Sequence, residues 1–301
     1  MKKNDKFADF KSGFIAIIGA PNAGKSTFLN RLLGEKISIT SRKPQTTRNR
    51  ILGVVHRPSS QLVFIDTPGV HRAKNELNVR IVDAALSAMG DVDVILILID
   101  VANDDADSEN YMVKKLKNQK RPVVLALNKI DLVKKPALLE IIDNWSKKYT
   151  FEAIVPICAK HGDHVDKLLG TMEALLPSGP PFFPEETLTD LSERFITAEM
   201  IREKVFRLTG QEIPYSTAVT VDSFSEKKGG ALVKISATIH IDRDSQKGII
   251  IGKKGSKLKK IGEDSRKDIE RLLGTKVFLK LFVRVQKNWS KDTKAIRRFG
   301  Y

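Results

Sequence analysis

The chain has 301 residues, 41% of them hydrophobic and 29% charged, which excludes a disordered or fibrous protein and allows two domains with separate cores. Cys158 is the single cysteine, so an intramolecular disulfide is excluded and a reducing compartment, the cytoplasm, is expected. The formal net charge is +16, and residues 245–301 hold 17 Lys and Arg against 5 Asp and Glu. This excess fits a polyanion such as nucleic acid or an anionic membrane as partner, and fits a well-solvated basic surface equally well.

Short apolar runs alternate with helical patterns over residues 1–176. This alternation predicts an α/β domain with a doubly wound, mostly parallel sheet. In such a sheet the ligand loops lie at the carboxyl ends of the strands. The longest run is far too short to cross a membrane. The predicted strands are Phe14–Ile18, Leu62–Ile65, Val94–Asp100, Val123–Leu127 and Ala153–Ile157.

A proline-rich stretch follows the first domain. Four prolines between Pro177 and Pro184 forbid a helix or an interior strand, so residues 177–189 are predicted to be an interdomain linker. Residues 190–301 then predict a smaller α+β domain with a basic C-terminal tail. Its predicted elements are a helix at 191–208, strands at 217–224 and 231–241, two short helices flanking Gly252–Gly255, and a strand at 276–285.

The first strand is followed by a glycine-rich loop of the form G-x-x-x-x-G-K-[ST]. This pattern between a strand and a helix predicts a phosphate-binding loop, because its backbone amides and the helix N-terminus attract anions. Lys25 is expected to reach the β- and γ-phosphates, and the Ser26 hydroxyl to bind Mg²⁺. The residues predicted to contact nucleotide here are Gly19, Ala20, Pro21, Asn22, Ala23, Gly24, Lys25, Ser26 and Thr27.

Two further motifs follow strand ends. Asp66, Thr67, Pro68 and Gly69 come after the second predicted strand, where the carboxylate can hold the Mg²⁺ shell; an ordinary turn is the alternative. Asn128, Lys129, Ile130 and Asp131 come after the fourth. One carboxylate at Asp131 can accept from both the N1–H and the amino group of guanine, which adenine does not offer. Asn128 is expected to reach the purine edge and Lys129 to cover the ring.

These three motifs resemble the G1, G3 and G4 motifs of the translation-factor-related GTPases. The resemblance implies GTP hydrolysis, a switch segment at residues 45–48 in which Thr47 binds Mg²⁺, and a fifth motif at Cys158, Ala159 and Lys160. Most relatives have serine where this chain has Cys158. The resemblance implies that the amide of Ala159 contacts the base.

A second departure is Val70, which stands where many small GTPases have a water-orienting glutamine. The resemblance is to the branch with a hydrophobic residue there, in which some members use a loop asparagine to hold K⁺. Asn22 is the matching residue, and a simple loop-forming role is the alternative. Lys25, Asn22, Thr47 and Gly69 are therefore the predicted catalytic residues.

The second domain contains a G-x-x-G loop between an apolar run and a basic helix. In KH domains such a loop clamps four nucleotides of a single strand, so the loop predicts RNA binding, although a lone G-x-x-G also marks simple helix connections. The order of predicted elements is similar to the type II KH arrangement. The predicted RNA-binding residues are Ile249, Ile250, Ile251, Gly252, Lys253, Lys254, Gly255 and Lys257.

A GTPase domain joined to a type II KH domain resembles the Era family, in the TrmE-Era-EngA-like group, over essentially the whole chain. The resemblance implies binding of GTP and GDP, binding of 16S rRNA near its 3′ end, and action in maturation of the small (30S) ribosomal subunit. It also implies peripheral association with the inner face of the cell membrane, and we expect a monomer. A different RNA, or anionic lipid, remains the alternative target. His161 and His164 are predicted to be surface residues, because no Cys or carboxylate at a suitable spacing completes a zinc site.

Overall fold

The computed structural model describes residues 9–40, 50–67, 92–103, 105–116, 119–210, 213, 217–226, 231–289, 292, 295–296 and 299. The chain divides into two compact units. The first contains residues 1–34 and 47–190, and the second contains residues 35–46 and 191–301. Residues 35–46 therefore belong to the second unit, although they lie inside the range 1–176 that the sequence assigns to the first domain.

The described part of the first unit contains six strands and four helices. Its strands are β1 (Lys11–Gly19), β2 (Ile51–Arg57), β3 (Ser60–Asp66), β4 (Val94–Asp100), β5 (Val123–Asn128) and β6 (Ala153–Ile157). Its helices are α1 (Lys25–Leu33), α2 (Ala106–Leu116), α3 (Lys135–Lys148) and α4 (Val165–Leu175). A 3₁₀ turn covers Ile130–Leu132.

The strands form one sheet in the order β2-β3-β1-β4-β5-β6. All neighbours run parallel except β2, which pairs antiparallel with β3. The central strands are buried on both faces, as the Val, Ile and Leu content of β4 requires. The predicted mostly parallel, doubly wound sheet is confirmed. Its consequence for function is that β1, β3, β5 and β6 all end at the same edge.

The strand β2 was not predicted from the sequence. Gly53 is its third residue and interrupts the apolar pattern that would mark a strand. The structure gives the reason for glycine there: a Cβ at this position would lie 2.5 Å from Cδ1 of Leu29 in α1. A larger residue at position 53 would therefore push the Leu29 side chain aside, so glycine favours the close packing of helix and edge strand.

The predicted linker is hydrogen-bonded along the first unit. The Gln61 side chain is fully buried; its Oε1 accepts from the backbone N–H of Phe182 (2.7 Å) and Phe183 (3.0 Å), and its Nε2 donates to the Phe183 carbonyl (2.7 Å). Further along, the Val54 amide of the edge strand β2 donates to the Leu188 carbonyl at 2.9 Å. These contacts cover an edge that would otherwise be open to pairing with another chain.

The described part of the second unit contains three helices and three strands. They are α5 (Glu193–Leu208), β7 (Thr217–Glu226), β8 (Leu232–Ile241), α6 (Asp244–Ile251), α7 (Ser256–Leu273) and β9 (Lys276–Val285). The sheet order is β7-β8-β9, with β7 antiparallel and β9 parallel to β8. The predicted order of elements is confirmed, although α7 has 18 residues and is not short. No helix in the described ranges is long and apolar enough to cross a membrane.

An ion cluster fixes Lys36, just after α1, within the second unit. The ammonium of Lys36 lies 2.6 Å from the buried Glu203 carboxylate and 2.7 Å from that of Asp268. Lys204 also pairs with Asp268, and Arg207 with Glu203. Burial lowers the pKa of Lys36, but the hydrogen bonds that its ammonium donates to both carboxylates outweigh it and leave that pKa raised. The chain thus enters the second unit after α1 and returns to the first before β2.

Replacing Gln61 with leucine should release the predicted linker, residues 177–189, while keeping the side-chain volume at position 61 similar. Two backbone amides and one carbonyl would lose their partner, and we expect the free energy of unfolding to fall by about 2 kcal/mol or more. Hydrogen exchange should rise at Phe182 and Phe183, and proteolysis should increase near residue 184. Gln119→Leu, at a partly exposed position, serves as control; equal behaviour of the two variants would show that Gln61 does not hold the segment.

Candidate functional site

The glycine-rich loop between β1 and α1 has the conformation that a phosphate cradle needs. Asn22 and Gly24 have φ values of 66° and 103°, in the left-handed region that turns successive amides inward. A Cβ on Gly24 would lie 2.2 Å from Nδ2 of Asn128, so only glycine fits at that position. The chain then enters α1 at Lys25, with the helix N-terminus facing the loop.

Lys25 is held inside this loop. Its ammonium donates to the carbonyls of Gly19 and Ala20, at 2.9 Å each, and the residue is 6% exposed. Burial lowers the pKa of Lys25 to about 8, and the nearby Asp66 carboxylate opposes that shift. A phosphate group in the loop would favour the charged form further, since opposite charges stabilise each other.

The predicted Mg²⁺ ligands Ser26 and Asp66 lie side by side. The Ser26 hydroxyl donates to Oδ2 of Asp66 at 2.9 Å, and the carboxylate is buried at the end of β3. A hydroxyl and a carboxylate are oxygen donors of the kind that Mg²⁺ prefers, so the residues present fit this ion. The neighbouring Thr67 is buried, and its hydroxyl donates to the Ile17 carbonyl at 2.7 Å, which ties β3 to β1.

The structure uses Asn128 to join two loops. Its Nδ2 donates to the Ala23 carbonyl at 2.8 Å, and its Oδ1 accepts from the Ala159 amide at 2.9 Å. From the sequence, Asn128 was expected to contact the purine edge, and the Ala159 amide was expected to contact the base. Here both groups bind each other, so Asn128 positions the phosphate loop against the segment that follows β6.

The carboxylate of Asp131 is exposed beside that segment. The Cys158 thiol donates to its Oδ1 at 3.0 Å, and this hydrogen bond holds the pKa of the Asp131 carboxyl below its usual range. Burial raises the pKa of the Cys158 thiol. Next to it, Lys129 has a φ of 69° and its ammonium lies 2.5 Å from Oδ2 of Asp100. An ionised acceptor is therefore presented where a guanine base would be read.

Two features of this site were missed in the sequence. Arg31, in the last turn of α1, donates to the carbonyls of Ala159 and Lys160; no motif includes it. His161 is exposed, as predicted, and its ring nitrogen, the Cys158 sulfur and an Asp131 oxygen lie within 4.8 Å of one another. The sequence does not show this proximity because the three residues meet through two loops. A base bound at Asp131 would exclude a metal from this cluster.

The other predicted nucleotide residues are placed as follows. Pro21 lies in the phosphate loop, Thr27 in the first turn of α1, and Ile130 in the 3₁₀ turn that follows β5. Thr47, Pro68, Gly69 and Val70 lie outside the described residues.

The G-x-x-G loop of the second unit joins α6 to α7. Gly252, Lys254 and Gly255 have φ values of 72°, 52° and 79°, and a Cβ on Gly252 would lie 2.8 Å from Cβ of Lys257. Lys253 and Lys254 are exposed. The tight backbone therefore presents two cations and allows close approach, as a nucleic-acid clamp requires.

The apolar run before this loop lies in the last turn of α6. Ile249 is 45% exposed and Ile251 is partly exposed, so both can contribute to a groove beside the loop. Ile250 is fully buried in the core of the unit.

A phosphate loop, a carboxylate placed for guanine and a G-x-x-G clamp define the class: a P-loop GTPase with a C-terminal KH domain. Family models agree, since residues 14–129 match the 50S ribosome-binding GTPase family and residues 212–290 match the KH domain. The GTPase Era of Geotalea uraniireducens is 57% identical over 292 residues, covering 97% of this chain and 98% of that protein. The chain belongs to the Era family of GTPases, enzymes that hydrolyse GTP to GDP and phosphate.

Solved structures agree over nearly the full length. A structure of a single-residue variant of Aquifex aeolicus Era bound to GDP·AlF4⁻ has a TM-score of 0.92 and 40% identity, covering 97% of this chain and 99% of that one. A structure of Era with MgGDPNP and nucleotides 1506–1542 of 16S ribosomal RNA has a TM-score of 0.93, also with 40% identity and the same coverage. The predicted family and fold class are confirmed.

Replacing Asp131 with asparagine should change the base preference. The amide can donate to the 2-oxo group of xanthine but cannot accept from both guanine donors, so GTP affinity should fall by about a hundredfold or more while affinity for xanthosine triphosphate rises. Titration with fluorescent analogues of both nucleotides measures this. Asp166→Asn, an exposed carboxylate in α4, should leave both affinities unchanged. Unaltered GTP affinity in Asp131→Asn would remove the guanine contact from this residue.

Proposed function

We propose that this GTPase binds single-stranded 16S rRNA near its 3′ end through its KH domain and acts in maturation of the small (30S) ribosomal subunit. The first unit would bind GTP and GDP, and the second unit would bind RNA. The one observation that carries this proposal is the likeness, at 40% identity over nearly the whole chain, to an Era structure in complex with 16S rRNA nucleotides 1506–1542.

The family description for residues 14–129 names the 50S subunit, whereas the RNA in that complex belongs to the small subunit. The small subunit is favoured because the likeness to the complex covers both units, while the family model covers only part of the first. The KH loop strengthens this choice, since it lies outside the range of that GTPase model.

In the nucleotide site we propose the following roles. Lys25 neutralises the β- and γ-phosphates, and the loop amides around Gly24 hold the phosphate chain. Ser26 and Asp66, with Thr47 of the switch segment, would hold Mg²⁺, which when bound supplies charge neutralisation to the transferring phosphoryl group. Gly69 would sense the γ-phosphate through its amide. Asp131 reads guanine, and Asn128 keeps its loop in register with the phosphate loop.

We also propose that a K⁺ ion held by Asn22 assists hydrolysis. Val70 has no group that can orient water, so the charge that develops in the transition state needs another stabilising group. Asn22 supports this role by its place in the phosphate loop, where it is exposed and has a left-handed φ of 66°.

We further propose that the chain acts as a monomer in the cytoplasm and that its basic second unit contacts the inner face of the cell membrane. The support for the membrane contact is charge alone, because residues 245–301 carry a large excess of Lys and Arg. RNA is the preferred partner because the Gly252–Gly255 loop has a backbone geometry that a lipid surface does not require.

The cation proposal predicts faster GTP hydrolysis in KCl than in NaCl at equal ionic strength. Asn22→Gly should abolish this difference, because glycine accepts the left-handed backbone but lacks the carboxamide. Nucleotide affinity should change little. Single-turnover rates in both salts give the measurement; equal rates in the unmodified protein would contradict the cation role.

The RNA proposal predicts a difference between two variants of equal charge. Lys253→Glu with Lys254→Glu should lower affinity for an RNA of the 16S 3′-end sequence by about a hundredfold, because carboxylates replace the cations that face phosphates. Arg266→Glu with Lys267→Glu, at exposed positions of α7, makes the same charge change outside the loop. Both should bind GTP normally. Fluorescence anisotropy measures RNA affinity, with anionic liposomes as competitor. If both variants lost the same RNA affinity, the result would indicate only a nonspecific basic surface.

A further inference from the structure

Strand β9 presents an alternation of cations and aromatic rings on one face. Phe278 and Phe282 are each 52% exposed, and they alternate with exposed Lys276, Lys280 and Arg284. We call these five residues the β9 face. Because alternate residues of a strand point to the same side, all five side chains lie on one surface, with the two rings about 13 Å apart.

This surface is opposite to the helices. Val277 is buried, and Leu281 faces α7, where a Cβ on Gly262 would lie 3.6 Å from its Cδ1. The intervening residues of the β9 face therefore point away from α7. The Gly252–Gly255 loop joins α6 to α7, so the β9 face is a surface separate from the loop.

The neighbouring strand extends the same surface. In the parallel register, Lys234 lies beside Phe278 and Ser236 beside Lys280. An acidic residue of this face, Asp222, lies on β7 and accepts from the hydroxyls of Thr238 (2.7 Å) and Thr220 (3.2 Å). Positive charge is thus concentrated along β9.

The cations of the β9 face have no carboxylate partner among the described residues. Within the same part of the chain, β9 pairs only with β8 and is an edge strand. Charged side chains on an edge discourage pairing with other chains, which would explain the lysines. It does not explain two half-exposed phenylalanines, since these increase the tendency of an edge to associate. A ligand that uses rings and cations together accounts for both.

We propose that the β9 face is a second RNA-binding site, on which bases of a single strand stack on Phe278 and Phe282 while Lys276, Lys280 and Arg284 contact the phosphates. The proposal rests on RNA as partner of the KH domain and adds a surface distinct from the loop. Stacked bases on sheet aromatics, with cations along the backbone, form a known physical mode of single-strand recognition.

Charge and spacing favour RNA over protein or lipid. A protein partner or a membrane would be held by contiguous apolar area, but Lys280 separates the two rings and a cation flanks each on both sides. A polyanion with flat apolar bases satisfies this alternation, since every ring meets a base and every cation a phosphate.

The test uses the full chain and a labelled single-stranded RNA of 16S 3′-end sequence. Phe278→Leu with Phe282→Leu should weaken binding about tenfold or more, because leucine keeps apolar area but cannot stack. Phe278→Tyr with Phe282→Tyr should restore affinity to within about twofold of the original, since stacking is retained. Ultraviolet cross-linking followed by mass spectrometry should place RNA on Phe278 or Phe282.

Charge variants and the loop variant separate this site from the clamp. Lys280→Gln with Arg284→Gln should reduce the slope of log affinity against log salt by about 1.4, while Arg266→Gln with Lys267→Gln should leave it unchanged. Cross-links at the phenylalanines should persist in Lys253→Glu with Lys254→Glu at raised protein concentration, so failure of the loop and failure of the β9 face are distinguishable. Unchanged affinity in the leucine variant together with absent cross-links overturns the proposal. The proposal would equally be overturned if the leucine variant bound anionic vesicles more weakly but kept its RNA affinity.

Discussion

The side-chain amide of Asn128 connects the phosphate loop to the loop that follows β6. One nitrogen and one oxygen bind Ala23 and Ala159, which belong to segments far apart in the chain. Because both ends of the amide are used and the residue is buried, the two loops keep a fixed separation. The phosphate loop and the guanine contact proposed for Asp131 both depend on this distance, since a nucleotide has to meet both at once.

The sheet makes that connection available. The strands β1, β3, β5 and β6 are parallel and end at one edge, so the loops that follow them converge there. Further contacts lock the edge in place: Thr67 binds the carbonyl of Ile17, and Arg31 binds the carbonyls beyond Cys158. Residues 177–189 cover the lateral edge of the sheet at β2. A rigid scaffold thus carries loops whose own sequences would allow many conformations.

The second unit shows the same division between scaffold and binding surface. Its sheet buries one face under the helices and leaves the cations and rings of β9 on the other, while the tight Gly252–Gly255 turn carries two lysines clear of the core. The apolar run Ile249–Ile251 shows this division. Helical geometry places Ile250 in the core and leaves Ile249 exposed, although all three residues look alike in the sequence. Binding surfaces here are made of residues that the core does not need.

The sequence by itself determined the class, the family and the order of elements, because the phosphate loop, N-K-x-D and G-x-x-G are local patterns whose chemistry depends on neighbours along the chain. It did not determine β2, whose Gly53 is explained only by contact with Leu29. Nor did it determine the partners of Asn128, the role of Arg31 or the cluster of Asp131, Cys158 and His161. Those depend on which distant loops the parallel sheet brings to one edge, and long-range contacts of that kind are decided by tertiary packing.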